Sequence, residues 1–419
     1  MYLARASRRG FDLAKLPEAA LLPLRRDGLD PVAELGAIRQ DEPVSRLRIP
    51  FGVSAWLVTG HPEAKAVLGS GAAFSNDFGN LVGSAPGATA EQNPGGLGFA
   101  DPPHHTRLRK LLQPEFTMRR LKRLTPGIAG IIGRQLDEMD AAGQEGRAVD
   151  LVEHFALPIP SLVICELLGV DYERRDDFQR LSMQRFDLFG GAVASLGAIS
   201  ESLDFLLGVV REQRDNPGDG LLGMIIREHG DEVDDRELAG LADGVLTGGF
   251  ETTASMLALG TLVLLRDHDA RKVVLHGDVD DPAVHGFVEE LLRYLTVVQV
   301  AFPRFAREDT QVGDALIERG DVVIVSLSGA DRHAALGQDM EQFDVRREPA
   351  PHVAFGYGAH RCIGAELAKM ELRAAFPALL QRFPNMRLAT SPEELVFRQA
   401  SIVYGVESLP AVLRPFGLD

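Results

Sequence analysis

The sequence predicts a mainly α-helical protein with a smaller β-rich lobe. Apolar residues recur at helical spacing through six segments: Ile128 to Met139, Phe155 to Leu168, Ile199 to Arg211, Glu237 to Leu265, Ala283 to Tyr294 and Ala365 to Phe383. Strand-like runs are short and lie toward the two ends, at Ala55 to Thr59, Val322 to Leu327 and Ser401 to Val406. With 419 residues, 45% of them hydrophobic, the chain has enough apolar material for a sizeable core. We therefore expect one unit over 1–419, with a β-rich part at about 30–75, 296–330 and 395–413 and a helical body at about 100–295 and 362–384.

Local chemistry accounts for the segments in turn. Gly and Pro cluster in Gly79 to Pro103, which reads as a long mobile loop, and around Pro349 to Gly364, which reads as a constrained one. Asp101-Pro102-Pro103 is a helix-start signal, and it puts His105 and Arg109 one turn apart on a common face. Gly244 to Leu265 carries one charge, Glu251, over roughly the length of a membrane span. A carboxylate near its middle, with Gly248, Gly249 and several hydroxyls, favours a helix through a soluble core instead. Two adjacent glycines cost about 2 kcal/mol of helix propensity relative to alanine. A widened or kinked turn, with room for a small ligand beside Glu251 and Thr252, is expected there.

Composition excludes several classes. A net charge of −16 argues against nucleic acid as a partner. Two cysteines cannot build a disulfide framework and fit a reducing cytoplasm. The Arg-containing start is followed by no apolar core, so it reads neither as a signal peptide nor as a membrane anchor. Charge is uneven, however: His104 to Arg123 holds seven Lys or Arg (Arg107, Arg109, Lys110, Arg119, Arg120, Lys122, Arg123) against one acid, Glu115. Such an island reads as a solvated face or as a docking patch for an acidic partner.

Phe355-Gly356-Tyr357-Gly358-Ala359-His360-Arg361-Cys362-Ile363-Gly364 carries the chemistry. A string of this kind arises by chance in on the order of one chain in 10^5 to 10^6 of this length and composition. Its glycines permit cramped backbone and close approach to a flat ligand, and backbone N–H groups aimed at sulfur favour the thiolate. One thiolate cannot complete a tetrahedral zinc site, but it can be the single axial ligand of a haem iron. Cys165, within Leu162 to Leu168, suits the alternative of a buried inert thiol.

This loop resembles the haem-thiolate signature of cytochromes P450. Gly248-Gly249-Phe250-Glu251-Thr252-Thr253 is similar to the family's Ala/Gly-Gly-x-Glu/Asp-Thr segment, which implies proton-delivery roles for Glu251 and Thr252. Glu290-Leu291-Leu292-Arg293 resembles the family's ExxR, with Arg347 in Phe343-Asp344-Val345-Arg346-Arg347 as third member of a structural network. His105-Thr106-Arg107-Leu108-Arg109 matches HTRLR, which implies that His105, Arg109, Arg304 and His360 hold the propionates of haem b, with Phe355 and Gly364 beside it. One departure stands out: Asp331-Arg332-His333-Ala334 replaces the family's usual Asn-Arg-Asp-Pro. The resemblance otherwise runs from Trp56 through the final strands and implies a cytochrome P450 fold.

It also implies a function. A thiolate ligand pushes electron density onto the iron and favours O–O cleavage, while an acid and an alcohol deliver protons. Substrate contacts are expected from Asn76 to Ala100 (Phe78, Leu81, Val82, Leu97), Phe178 to Phe205, Val297 to Phe302 and Ala400 to Val403. Val245, Gly248, Gly249, Val298, Val300, Phe302 and Ile402 form the expected pocket, and its lining suits a small to medium apolar substrate. Gly79 to Gly98 and Phe189-Gly190-Gly191 are expected to act as lids. No flavin or reductase domain fits beside the P450 unit. The implied protein is a monomeric cytoplasmic monooxygenase fed by a ferredoxin docking near Arg107, Lys110, Arg119, Arg120 and Arg361. The alternatives are a peroxygenase, a coupling or rearrangement P450, or a non-catalytic haem-thiolate sensor or carrier. The intact Glu251-Thr252 pair argues against the peroxygenase and has no use in a sensor.

Overall fold

A computed structural model describes residues 18–48, 54–77, 96–184 and 195–414. Its principal sheet runs β1 (Val44–Arg48), β2 (Ser54–Val58), β6 (Val322–Val325), β5 (Arg304–Ala306) and β3 (Phe74–Ser75) in spatial order. β2 and β6 pair in parallel, with Val322 opposite Ala55 and Val325 opposite Val58. Side chains alternate across the sheet: Trp56, Val58, Val323 and Val325 pack on one face, and Ala55, Leu57 and Val322 on the other. Both faces are covered, which is why these strands read as nearly continuous apolar runs.

The helical body comprises α1 (His104–Leu112), α2 (Thr125–Ala142), α3 (Pro158–Leu168), α4 (Ser195–Asp215), α5 (Asp235–Arg266), α6 (Pro282–Leu295) and α7 (Ala365–Arg382). Asp234 starts α5 by accepting from the backbone N–H of Glu237 (2.8 Å), with Asp235 and Glu237 placed to favour the positive end of the helix. Although α5 is long and apolar enough to cross a membrane, 78% of its apolar window is buried inside the protein. It is a core helix. At Gly260 three helices meet, and a Cβ there would lie 2.5 Å from Phe376 of α7 and 2.7 Å from Leu291 of α6.

Three expectations need correction. The helix expected from Phe155 is split, because a π turn occupies Val152–Ala156 and Pro158, which lacks an N–H, opens α3 as a new start. Ser401 to Val406 is not a continuous strand: Val403 bridges Val298 and Val406 bridges Phe397, so its pairing is divided between two partners. Ala400, at φ 54°, lies in the turn between Phe397 and Val403. Finally, the helical body contributes a strand that the periodicity did not reveal: β4 (Ala148–Asp150) pairs with β8 (Pro410–Val412), which also pairs with β7 (Arg387–Leu388).

The segment leading to the loop around Cys362 is tied to a polar network centred on the buried pair Glu290 and Arg293. Arg293 forms a fork on Glu290 (2.7 and 2.8 Å) and donates to the carbonyls of Asp331, Met340 and Gln342. Arg347 Nε and the Asp344 N–H complete the Glu290 carboxylate at 3.1 and 3.0 Å. Asp331 accepts from the Val353 N–H (2.6 Å) and from Thr296 Oγ1 (3.0 Å), which fixes the loop's first turn to the end of α6. Thr296 itself sits at φ 36°, an unusual conformation for a β-branched residue, and its hydroxyl contacts hold it there.

Burial pushes the Asp331 carboxyl up to about 6, against the opposing pull of His352, the Val353 N–H, Thr296 and Arg293. The ordinary aspartate value is about 4, so the folded chain holds this proton more tightly than the unfolded chain. The group therefore favours folding below about pH 4, and that contribution is lost as pH rises through 4 to 6. Asp331→Asn keeps the shape and a possible partner for Thr296 while removing the charge. Denaturant unfolding should show it more stable than wild type at pH 8 by about 1–3 kcal/mol, with a flatter profile between pH 4 and 6. A loss of stability at pH 8 would mean that the ionised carboxylate is what the network needs.

Candidate functional site

The cysteine loop owes its shape to two left-handed glycines, Gly356 (φ 70°) and Gly358 (φ 75°). A Cβ on Gly358 would lie 2.6 Å from the Leu68 carbonyl oxygen, so no other residue fits. The Gly356 N–H donates to Val353 O (2.7 Å) and the Cys362 N–H to Phe355 O (2.8 Å), closing the loop on itself. Gly364 caps the start of α7, which places Cys362 at the positive end of that helix. Its sulfur can be reached by solvent yet is crowded by protein. That crowding pushes the thiol up, while the Gly364 N–H and the charges of Arg361 and Arg109 oppose it.

Donors gather nearby without matching negative charge. The rings of His105 and His360 stand 4.0 Å apart, centroid to centroid. Burial, then His105 and Arg304, push His360 down to about 3; burial, then Arg109, lower His105. Arg304 is lowered to about 10 and Arg109 is lowered too, in each case chiefly by burial. His105 Nε2 is buried with no hydrogen-bond partner. Asp101 faces the group, but its oxygens already serve Ser75, the Asn76 N–H (2.9 Å) and Arg307 (2.5 Å). Two imidazoles and two desolvated guanidiniums short of counter-charge suit an added ligand with two carboxylates, and this fits the propionates of haem.

Helix α5 supplies the third part. Gly248 is exposed in the midst of a mostly buried helix, and a Cβ there would meet nothing within 4 Å. Gly249 differs: its Cβ would press on Ile164 of α3 at 3.1 Å, so that glycine serves helix packing and the ligand room lies at Gly248. The widened turn expected at this pair is not present, since α5 is α-helical throughout. Thr252, half-buried, donates its hydroxyl to Gly248 O at 2.7 Å. Glu251 is buried and forms an ion pair with Arg398 at 2.5 Å.

Around this helix, Val245, Val298, Val300 and Ile402 are half-buried, and Phe302 is 43% exposed with its ring edge-on to Phe99 at 4.6 Å. Phe78, Leu81, Val82 and most of Gly79 to Gly98 lie outside the described residues, as does Phe189-Gly190-Gly191.

The basic island is less uniform than its sequence. Arg107 pairs with Glu237, while Arg120 and Arg123 both hold the fully buried Glu115 at 2.6 Å. Lys110, Arg119 and Arg361 are exposed. Two site residues escaped the sequence reading. Arg398 stands in no recognisable pattern, and Asp331 drew notice only as a departure from Asn.

The Cytochrome P450 family model matches residues 279–403. Cytochrome P450 165B3 of Amycolatopsis orientalis is 38% identical over 397 residues, covering 93% of this chain and 97% of the relative. The structure of P450 StaH from glycopeptide antibiotic biosynthesis is similar at a TM-score of 0.83, with 39% identity over 94% of this chain and 99% of its own. OxyC, a cytochrome P450 implicated in an oxidative C–C coupling reaction during vancomycin biosynthesis, gives 0.82, with 34% identity over 93% and 96%. Whole-chain identity at this level, on the same fold, places this chain in the cytochrome P450 family of haem b monooxygenases.

Proposed function

We propose that Cys362 is the axial thiolate of the haem, and that His105, Arg109, Arg304 and His360 hold its propionates. The observation that carries this is the pairing of a helix-start thiol with a donor cluster that lacks its counter-charge. Phe355 and Gly364 flank the sulfur: the Phe355 carbonyl orders the Cys362 N–H, and the Gly364 N–H stabilises the thiolate. When bound, the haem supplies dioxygen activation with electrons from outside the chain. The rest falls to side chains.

Thr252 and Glu251 are the proton pair. In the resting structure the Thr252 hydroxyl is parked on the Gly248 carbonyl, and turning it from that oxygen presents a donor to the exposed space at Gly248. The proton it gives up is replaced from the Glu251 side of the helix, where a carboxylate sits out of bulk water. Val245, Val298, Val300, Phe302 and Ile402 present apolar surface, so we assign a small to medium apolar substrate and its hydroxylation or epoxidation. Similarity to OxyC supports a second reading, in which the same machinery joins two carbon centres of the substrate. Members of the family commonly draw electrons from ferredoxins. We place that docking on the exposed cations Lys110, Arg119 and Arg361, with Arg107 and Arg120 already engaged by Glu237 and Glu115.

Three measurements check these roles. The carbon monoxide difference spectrum of the reduced protein should show the red-shifted Soret band of thiolate ligation, and Cys362→Ser should abolish it; a histidine-type band in folded wild type would remove the proposal. With a plant-type ferredoxin, its reductase and NADPH but no substrate, Glu251→Gln with Thr252→Ala should raise severalfold the share of electrons recovered as hydrogen peroxide instead of water. An unchanged share would exclude the pair from proton delivery. Charge reversal at Lys110 and Arg361 should slow reduction by ferredoxin about tenfold at low salt and much less near 0.5 M salt, because such attraction is screened. Equal effects at both salt concentrations would place docking elsewhere.

A further inference from the structure

The acid of the proton pair is gripped by a residue from a distant part of the chain. Arg398 directs Nη1 to Glu251 Oε1 (2.5 Å) and Nη2 to Ser255 Oγ (2.7 Å), residues one helical turn apart on α5. Both members of the ion pair are about 5% exposed. Arg398 starts the closing hairpin of the chain: its N–H donates to Gly405 O (2.9 Å), and Phe397 bridges Val406. A Cβ at position 405 would lie 2.1 Å from Arg398 Nη2, so glycine there opens the path that the guanidinium takes to the helix. The hairpin tip is tied down as well, with the Gln299 N–H on Ile402 O (3.0 Å), Gln299 Nε2 on Ser401 O (2.8 Å) and the Tyr404 N–H on Val297 O (2.7 Å). The guanidinium is thus held at a fixed place from both sides.

We propose that Arg398 is the positioning residue for proton delivery, keeping the Glu251 carboxylate ionised and aimed away from Thr252 until it is needed. This rests on the role assigned above to Glu251 and Thr252. Taking a carboxylate out of water favours its neutral form, and an adjacent guanidinium reverses that preference by about one to three pK units. Consecutive helical residues point about 100° apart, so an acid held on Arg398 lies off the Thr252 side and passes a proton across only when it leaves or shares that partner. The same grip joins the acid to the hairpin that carries Ile402.

The test uses haem-loaded wild type, Arg398→Gln, Glu251→Gln and the double variant. Infrared spectra of the resting proteins at neutral pH should show a protonated-carboxyl band in Arg398→Gln that is absent from wild type and from the double variant. During substrate-free NADPH oxidation with the same ferredoxin system, Arg398→Gln should shift the hydrogen peroxide share severalfold from the wild-type value, because the acid is no longer held and released, and the double variant should give the share of Glu251→Gln. No band and an unchanged share in haem-replete Arg398→Gln overturn the proposal. If Arg398→Gln fails to load haem, Gly405→Ala, which displaces the guanidinium without removing it, must reproduce the band or the proposal falls. Should Glu251→Gln itself leave the peroxide share at the wild-type value, the proton role of Glu251 fails, while the infrared band still decides whether Arg398 sets its ionisation.

Discussion

Desolvated charge, and the need to give each such charge a partner, governs this protein. Arg293 and Glu290 are both almost wholly removed from water, and a pair in that state survives only when every remaining donor and acceptor is met. Here the carbonyls of Asp331, Met340 and Gln342 and the Asp344 N–H meet them. Because those groups belong to the segment that leads into the cysteine loop, satisfying the ion pair and shaping the loop are one requirement. Asp331 extends it by one more link, holding the Val353 N–H that begins the loop. The cluster of His105, Arg109, Arg304 and His360 is the opposite case, where donors are gathered with little counter-charge and His105 Nε2 is buried without a hydrogen-bond partner.

The two halves of the site obey the same rule at different strengths. Around Cys362, backbone carries the work: a carbonyl on the Cys362 N–H, an N–H on its sulfur and two left-handed glycines that no side chain could replace. On α5 the side chains carry it, with Thr252 bound within its own helix and Glu251 bound to Arg398. A loop fixed by backbone tolerates few substitutions, whereas a side-chain pair can be re-set by replacing one partner. That contrast fits a family in which the ligand loop announces itself in sequence and the partner of the acid does not.

Much of the fold was legible because its periods are local. Of the six helices expected from apolar spacing, five are present as expected and the one from Phe155 is split at Pro158, and β2 and β6 read as strands because both faces are buried. Legibility failed where long-range pairing decides the outcome. Ala148–Asp150 has no strand signal of its own and becomes a strand because Pro410–Val412 pairs with it. Ser401 to Val406 has the composition of a strand but divides its pairing between Val298 and Phe397. At the site, Cys362, Glu290, Arg293, Arg347, His105 and His360 fell in motifs whose spacing is visible along the chain. Arg398 is separated from Glu251 by 147 residues, and Gly249 turned out to make room for Ile164 instead of a ligand. Nothing near either residue in sequence could have said so.

The pairing of β4 with β8 also bears on how the protein is made. Residues 148–150 leave the ribosome long before residues 410–412 exist, and chains are synthesised at about 5–20 residues per second. For some tens of seconds the nascent helical body therefore presents an unpaired edge, and Glu251 waits equally for Arg398 to be translated. The molecule cannot reach its final form vectorially; residues 398–412 complete what residues 148–150 and Glu251 began. Slowing translation lengthens this exposure, so a holding chaperone that covers the edge at residues 148–150 has its greatest use before residues 398–412 are made.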